Sequence, residues 1–211
     1  ADLFRRKGVA IDPKAFNAFW RSKQLSYTMY NTMIGKGFEP FIVLTRKALK
    51  SAAAFHQVDL TEEEEDQLVE VWIDQLEPYP DVLEGLKKLK QLGYTMAPLT
   101  NGGQEMVRRG VIHRFAQMGF QFDTFLTADL WEVYKPHPDI YVKSIARLGL
   151  EPGKVIHVCR SQMDLFGAKA AGLKVAWINR GCEPLEAYGF SPDWVANDFL
   201  ELAELLERER P

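Results

Sequence analysis

The sequence predicts an α/β fold in which a parallel sheet carries helices on both faces and follows a helical subdomain. Residues 154–179 read as strand, turn, helix and strand, which is the length of one βαβ unit. Helical and strand-like segments alternate from residue 81 onward, whereas apolar residues recur at near-helical spacing through residues 1–78. Alternation of this kind is typical of a parallel sheet with helices packed against it.

The βαβ unit places polar residues at one edge of the predicted sheet. An apolar strand over residues 155–158 ends in a polar turn over residues 159–164, and an Ala/Gly-rich helix and a second apolar strand follow. Ligands of open parallel sheets bind beyond the carboxyl ends of the strands. We therefore expect Cys159, Ser161 and Asp164 to lie where a ligand would bind.

The first part of the chain is expected to be helical. A Gly-Lys-Gly stretch at residues 35–37 separates two helices, and a capping box at residues 61–64 begins a third. A Pro-Tyr-Pro stretch at residues 78–80 then punctuates the chain. It divides a helical subdomain, residues 1–78, from an α/β core, residues 79–211.

The remaining elements follow from turn and cap signals. Glycines end two of the helices, and Asp81 is in position to cap another. We expect helices over residues 81–92, 104–118, 138–148 and 198–208, and strands over residues 94–100 and 124–128. Each predicted strand is short, as is usual in α/β domains.

Composition excludes several classes of function. The 211 residues are 46% hydrophobic and 26% charged, which is ordinary for a globular protein, and the net charge of −3 gives no electrostatic reason to bind nucleic acid or an anionic membrane. No apolar run approaches the roughly 18 residues of a membrane span. Two cysteines form neither a disulfide framework nor a metal-binding spacing, so we expect a reduced, cytoplasmic setting.

Polar groups gather where three predicted strands end. These are Thr100 and Asn101 before two glycines, Lys135 in a Lys-Pro pair, and the turn at residues 159–164. Right-handed parallel winding brings such ends to one edge of the sheet. Each has a simpler explanation, since Asn101 suits a turn, Lys135 a solvated loop and Asp164 a helix cap. Together they bring a hydroxyl, an amide, an ammonium and a carboxylate into one crevice.

Five motifs occur in a fixed order along the chain. They are FWRSKQLSYT (19–28), LTNGG (99–103), VYKPHPDIY (133–141), HVCRSQMDLFGAKAAGLKVAWINR (157–180) and PDW (192–194). This combination resembles the haloacid dehalogenase superfamily and, more narrowly, its type II (L-2-haloacid) dehalogenases. The resemblance covers the chain from about residue 15 onward. It implies a Rossmann-like core with a helical cap subdomain.

The resemblance implies a hydrolase that works through an aspartyl ester. In that group an aspartate displaces halide from a 2-haloalkanoate, and water then cleaves the ester. Carried over by motif, the catalytic residues are Arg21, Asn101, Lys135 and Asp164. Arg21 would receive the halide, Lys135 would balance the charge of the nucleophile, and Asp164 would anchor Lys135 and orient water. The substrate-binding residues would be Leu25, Phe41, Thr100, Tyr141 and Ser161. The resemblance also implies a homodimer and neither cofactor nor metal.

The chain departs from the family pattern in two places. The family's first strand, with the nucleophile in a D-x-x-G-T signature, is expected ahead of Ala1, and neither Asp2 nor Asp12 has the context to replace it. We therefore expect residues 1–211 to lack covalent catalysis by themselves, and we expect the first strand to be central in the sheet. The run from Cys159 to Ser161 replaces the usual Ser-Ser-Asn.

Two alternative functions stay open. A phosphatase of the same fold carries an acidic Mg²⁺ ligand where this chain has Arg160, and a cation at that position disfavours the metal. A non-catalytic protein that binds small carboxylates or a partner would explain the altered run after residue 158. Cys159 is not expected to be a catalytic thiol, because no histidine partner is indicated. His157, inside an apolar strand, is expected to be a hydrogen-bonded core residue.

Overall fold

The computed structural model describes residues 2–209, so the outermost residues of both predicted domains, 1 and 210–211, lie outside the described part. Four helices come first. They are α1 (Asp2–Arg6), α2 (Pro13–Ile34), α3 (Phe41–Phe55) and α4 (Glu62–Asp74). The expected break between two helices is present, and Gly35 closes α2 in the left-handed conformation with φ 68°.

Local sequence explains where these helices begin. The Asp12 carboxylate accepts the backbone N–H of Lys14 ahead of α2, and Thr61 and Glu64 form the predicted reciprocal capping box of α4. The four helices share an apolar cluster of their own, built around Phe16, Trp20 and other buried residues. The domain boundary near residues 78–80 stays a prediction.

The second part of the chain alternates helices and short strands. The helices are α5 (Val82–Gln91), α6 (Gln104–Val107), α7 (Arg114–Gln117), α8 (Pro138–Leu148), α9 (Gln162–Ala170) and α10 (Phe199–Arg208). The strands are β1 (Leu99–Thr100), β2 (Leu126–Thr127), β3 (Ile156–Cys159), β4 (Lys174–Ile178) and β5 (Trp194–Ala196). A π-helix, Arg108–His113, joins α6 to α7, so the predicted helix over residues 104–118 is continuous but irregular.

The strands pair in parallel, in two groups rather than in one continuous sheet. β1 pairs with β2, while β4 lies between β3 and β5. Within residues 2–209, β1 and β3 each have one partner strand, so no strand pairing joins the two groups. β5 is a strand that the sequence analysis missed, because it has three residues and no alternating pattern.

Helices cover both faces of the three-stranded group. Val175 and Ala176, neighbours on β4, point to opposite faces and belong to different apolar clusters. The cluster with Val175 contains residues of α8 and α9, and the cluster with Ala176 contains residues of α5 and α10. This layering is the predicted α/β class. None of the helices within residues 2–209 combines the length and apolar character needed to cross a bilayer.

Two local predictions were wrong. The strand expected over residues 94–100 is reduced to β1, because Pro98 offers no N–H to a strand ladder. Asp81 precedes α5 but its side chain does not cap it. Instead the Asp81 carboxylate accepts two hydrogen bonds of 2.7 Å from Arg180 and one of 2.9 Å from the Phe199 N–H. It fastens the C-terminal helix to the start of the core.

Candidate active site

The centre of the candidate site is the Asp164 carboxylate, in the first turn of α9. β3 ends at Cys159, the chain turns, and Ser161 occupies the N-cap position of α9. Because Ser161 holds that position, Asp164 is not the helix cap, and its side chain is free to point elsewhere. The positive end of the helix dipole favours a carboxylate in the first turn.

Lys135 and Asp164 form the predicted ion pair. The Lys135 Nζ lies 2.9 Å from Asp164 Oδ2, and both side chains are largely buried, at 10% and 15% exposed. Lys135 lies in the loop that leads into α8, and Tyr141, on that helix, donates from its hydroxyl to Asp164 Oδ1 at 2.6 Å. Lys135 is therefore not a solvated loop lysine, and Tyr141 joins it at the same carboxylate.

Asn101 connects the end of β1 to this pair. Its Oδ1 accepts the backbone N–H of Lys135 at 2.8 Å, while the Thr100 hydroxyl accepts the N–H of Gly102 at 3.1 Å. Thr100 thus makes the local turn, and Asn101 reaches across to the lysine loop. The three polar strand ends predicted to meet are joined by direct hydrogen bonds.

The electrostatics of the site favour an ionised Asp164. Burial alone would raise the pKa of this carboxyl, but the Lys135 ammonium, together with His157 and the Tyr141 hydroxyl, holds it well below its usual range. Burial raises the pKa of Tyr141, and the Asp164 charge raises it further. The phenol therefore stays protonated and can only donate to this carboxylate.

His157 is a site residue that the sequence analysis did not recognise. It was predicted to be hydrogen-bonded and is, but its partner is Asp164, with Nε2 3.0 Å from Oδ1. Its ring also lies edge-on to Tyr141, with the centroids 5.3 Å apart. The alternation of side chains along a strand could have indicated that His157 belongs to the site. His157 and Cys159 are two residues apart on β3, so they point to the same face of the sheet.

Cys159 does not have the environment of a catalytic thiol. Burial raises its pKa, the Asp164 charge raises it further, and the opposing effect of Lys135 is smaller. Potential ligand atoms of His157, Cys159 and Asp164 lie within 4.8 Å of one another. A divalent cation there would compete with the Lys135 ammonium for the same carboxylate, so these residues are a poor fit for a metal.

The helical part contributes the predicted arginine through a separate network. The Arg21 guanidinium hydrogen-bonds the Gln24 side chain and lies 5.5 Å from the ring centroid of Trp72. Although the residue as a whole is exposed, burial against these neighbours lowers the pKa of Arg21. Among residues 2–209, no hydrogen bond or ion pair joins Arg21 to Lys135 or Asp164.

The remaining predicted residues, Leu25, Phe41 and Ser161, lie in three different environments. A cleft of about 180 Å³ opens between the start of α3 and the end of β1, and its lining includes Phe38, Phe41, Asn101, Met106 and Asp129. Leu25 is half-buried on α2, and Ser161 is exposed. The structure therefore brings Phe41 and Asn101 to one cleft.

Comparison with known proteins decides the family. The model of haloacid dehalogenase-like hydrolases matches residues 4–172. The chain belongs to the haloacid dehalogenase-like hydrolase family. It is 33% identical over 201 residues to (S)-2-haloacid dehalogenase 4A of Burkholderia cepacia, covering 95% of this chain and 85% of the relative. It is 30% identical to (S)-2-haloacid dehalogenase of Pseudomonas sp. (strain YL), covering 92% of this chain and 82% of the relative.

Solved structures give the same assignment. The L-2-haloacid dehalogenase from Xanthobacter autotrophicus superposes with a TM-score of 0.84 at 26% identity, over 93% of this chain and 87% of that protein. A dehalogenase with an intermediate complex superposes with a TM-score of 0.86 at 31% identity, over 96% and 88%. The predicted family and the α/β class are confirmed. The roles of individual residues in this haloacid dehalogenase-like hydrolase stay predictions.

Proposed function

We propose that this haloacid dehalogenase-like hydrolase cleaves the carbon–halogen bond of short 2-haloalkanoic acids, without a metal or other cofactor. One observation carries the proposal. Lys135 binds Asp164 at 2.9 Å, and its backbone N–H is held by Asn101 at 2.8 Å, so three separate segments of the chain form one charged site. Relatives named as (S)-2-haloacid dehalogenases at 30–33% identity support the same reaction class.

The proposed reaction has two displacements. An aspartate on a strand ahead of Ala1 attacks the α-carbon, and the halide leaves with the electron pair of the broken bond. Water then attacks the ester carbonyl, which releases the 2-hydroxy acid and restores the aspartate. The division of the sheet between β1 and β3 supports a central position for that strand. Lys135 would keep the nucleophile ionised, and Asp164 would orient the water.

The substrate would be held from both parts of the chain. Arg21 would receive the departing halide, since a guanidinium offers diffuse charge and several donors. Thr100 and Asn101 would bind the carboxylate of the substrate, and Phe41 and Leu25 would enclose its alkyl group. Tyr141, whose hydroxyl contacts Asp164, and Ser161, three residues before Asp164 in the chain, would complete the binding residues.

The test uses a strand-completed protein, in which Ala1 is preceded by the family's first strand with its D-x-x-G-T signature. We expect halide release from L-2-chloropropionate, and we expect it to persist in EDTA. The same protein with the nucleophilic Asp changed to Asn is the matched control and should release none. Absence of halide release together with turnover of phosphate esters in Mg²⁺ would refute the proposal in favour of a phosphatase. A folded but inert protein that binds 2-halocarboxylates would favour a binding protein.

We also propose a homodimer formed through α2. The support is an exposed apolar group on that helix, with Tyr30, Met33 and Ile34 at 52%, 81% and 62% exposed. Met33→Glu should shift light-scattering mass from dimer to monomer, whereas Val142→Glu, at an exposed position on α8, should not. A wild-type monomer at high protein concentration would contradict this.

The location and domain division are proposals as well. We propose a cytoplasmic location, because both cysteines, Cys159 and Cys182, are unpaired. Fractionation of the native host tests it.

We propose that residues 1–78 form the cap and residues 79–211 the core, and limited proteolysis should cut near residues 78–80 before it cuts elsewhere.

A further inference from the structure

His157 is a buried histidine to which the proposed reaction assigns no role. It is 9% exposed, and its Nε2 lies 3.0 Å from Asp164 Oδ1. The same oxygen receives the Tyr141 hydroxyl at 2.6 Å, whereas Oδ2 receives the Lys135 ammonium at 2.9 Å. Three side chains from three elements therefore converge on one carboxylate.

The charge of Asp164 fixes which way the histidine bond runs. An ionised carboxylate accepts hydrogen bonds and cannot donate them. Because the neighbouring groups hold the pKa of Asp164 well below its usual range, the carboxylate is ionised at neutral pH. The Nε2 of His157 must then carry the proton, so the histidine donates to Oδ1.

Counting acceptor positions shows what this bond does. A carboxylate has about four lone-pair positions, two on each oxygen. Tyr141 and His157 occupy both positions on Oδ1, and Lys135 occupies one on Oδ2. Among the residues that the structure describes, these three are the partners of the carboxylate, so one acceptor position is left, on Oδ2 beside the ammonium.

We propose that His157 is a positioning residue that occupies the second acceptor position on Oδ1 of Asp164, so that the hydrolytic water is held by Oδ2 beside Lys135. The role rests on the proposed function and concerns its second step alone. Without the histidine donor, Oδ1 loses one of its two anchors, and the carboxylate can turn so that Oδ2 no longer holds the water beside Lys135. The first step, halide displacement, does not use this water and should be unaffected.

Two substitutions at His157 distinguish a positioning role from a purely structural role. His157→Phe keeps an aromatic ring against Tyr141 and removes the donor, whereas His157→Gln keeps a donor. In the strand-completed protein, we expect His157→Phe to release the first equivalent of halide at the wild-type rate, within about twofold. Steady-state kcat should fall about tenfold, the lower end of what a hydrogen bond to a charged group is worth. The ester-linked protein should then accumulate and be visible by mass spectrometry, and His157→Gln should restore most of kcat.

Several outcomes would overturn the proposal. One is wild-type kcat in His157→Phe. Another is an equal loss in both variants, which would make the residue structural. A third is a slower first turnover without accumulated ester. A readout independent of turnover is imidazole ¹⁵N NMR, in which His157 should carry a proton on Nε2, and an Nδ1–H tautomer would contradict the bond. If the wild-type protein releases no halide, the proposed function fails with the positioning role, and the NMR result still decides whether the histidine donates to Asp164.

Discussion

The two halves of the candidate site are built differently. The core half consists of Lys135, Tyr141, His157 and Asp164, whose side chains bond one another directly and are largely withdrawn from water. The cap half consists of Arg21, whose guanidinium contacts the side chains of Gln24 and Trp72. Arg21 as a whole residue is exposed. The core half is a hydrogen-bonded network around one carboxylate, and the cap half is a single charge with separate contacts of its own.

Because the two halves are built differently, we expect substitutions in them to affect folding to different degrees. Removing one member of a buried, paired set leaves its partner charged and unsolvated, which costs stability. Removing Arg21 leaves the buried Gln24 side-chain oxygen without that donor, but it leaves no buried charge unpaired. We therefore expect core-half substitutions to lower both stability and activity, and cap-half substitutions to lower activity with a smaller effect on stability.

Lys135→Met should have the largest effect. It leaves the Asp164 carboxylate buried without its cation, and breaking such a pair costs about 3–5 kcal/mol in the free energy of unfolding. Urea denaturation at neutral pH measures the change. Halide release by the strand-completed protein should also be lost, because the ammonium proposed to balance the charge of the nucleophile is removed.

The matched control is another lysine in an ion pair. Lys143 pairs with Asp139 on α8 at 3.2 Å, with both side chains about half exposed. Lys143→Met should change the free energy of unfolding by no more than about 0.5 kcal/mol. Equal losses from the two substitutions would show that burial of the site pair contributes nothing.

The pH dependence of stability isolates the carboxylate of the core half. The pKa of Asp164 is depressed in the folded protein, so between that value and the ordinary carboxyl range of about 4 the unfolded chain binds a proton that the folded chain does not. The stabilisation is therefore present above about pH 4 and is lost as the pH falls below it. Denaturation of wild type and Asp164→Asn at several pH values should show a steeper acid loss for wild type. Parallel curves would contradict the depressed pKa.

Gly167 makes room for the core half. A Cβ at this position would lie 2.5 Å from the Pro136 carbonyl oxygen and 2.8 Å from the Tyr141 hydroxyl. Gly167→Ala should therefore displace the phenol from Asp164 and cost about 1–3 kcal/mol, as overpacking does. Gly153→Ala is the control, because a Cβ there meets nothing within 4 Å. Thermal unfolding compares the two, and a Gly167→Ala protein as stable as the control would show that α9 can shift freely.

Sequence reasoning succeeded where local chemistry determines the structure. The helix start at Thr61, the end of α8 at Gly149 and the βαβ unit through β4 follow from caps and apolar runs a few residues long. The polar strand ends also met as expected, because parallel winding leaves few alternatives. These features need no knowledge of distant partners.

The incorrect predictions concern residues whose partners cannot be read from the local sequence. Asp81 looks like a helix cap in sequence, but Arg180, 99 residues away, takes its carboxylate. His157 looks like a core residue until Asp164 and Tyr141 are placed around it. Long-range partners decide each of these, so only coordinates reveal them.

Arg21→Met should lower stability less than Lys135→Met does and still have a large effect on activity. It removes a cation–π contact with Trp72 and the hydrogen bond to the buried Gln24 side chain, whose unsatisfied acceptor should cost about 1–3 kcal/mol. In the strand-completed protein kcat/KM should fall by about 100-fold or more if the guanidinium receives the halide. Arg21→Lys keeps the positive charge but loses the planar guanidinium, so its activity should lie between that of the wild type and that of Arg21→Met. A stability loss matching that of Lys135→Met would end the distinction between the halves, and full activity in Arg21→Met would remove the arginine from the site.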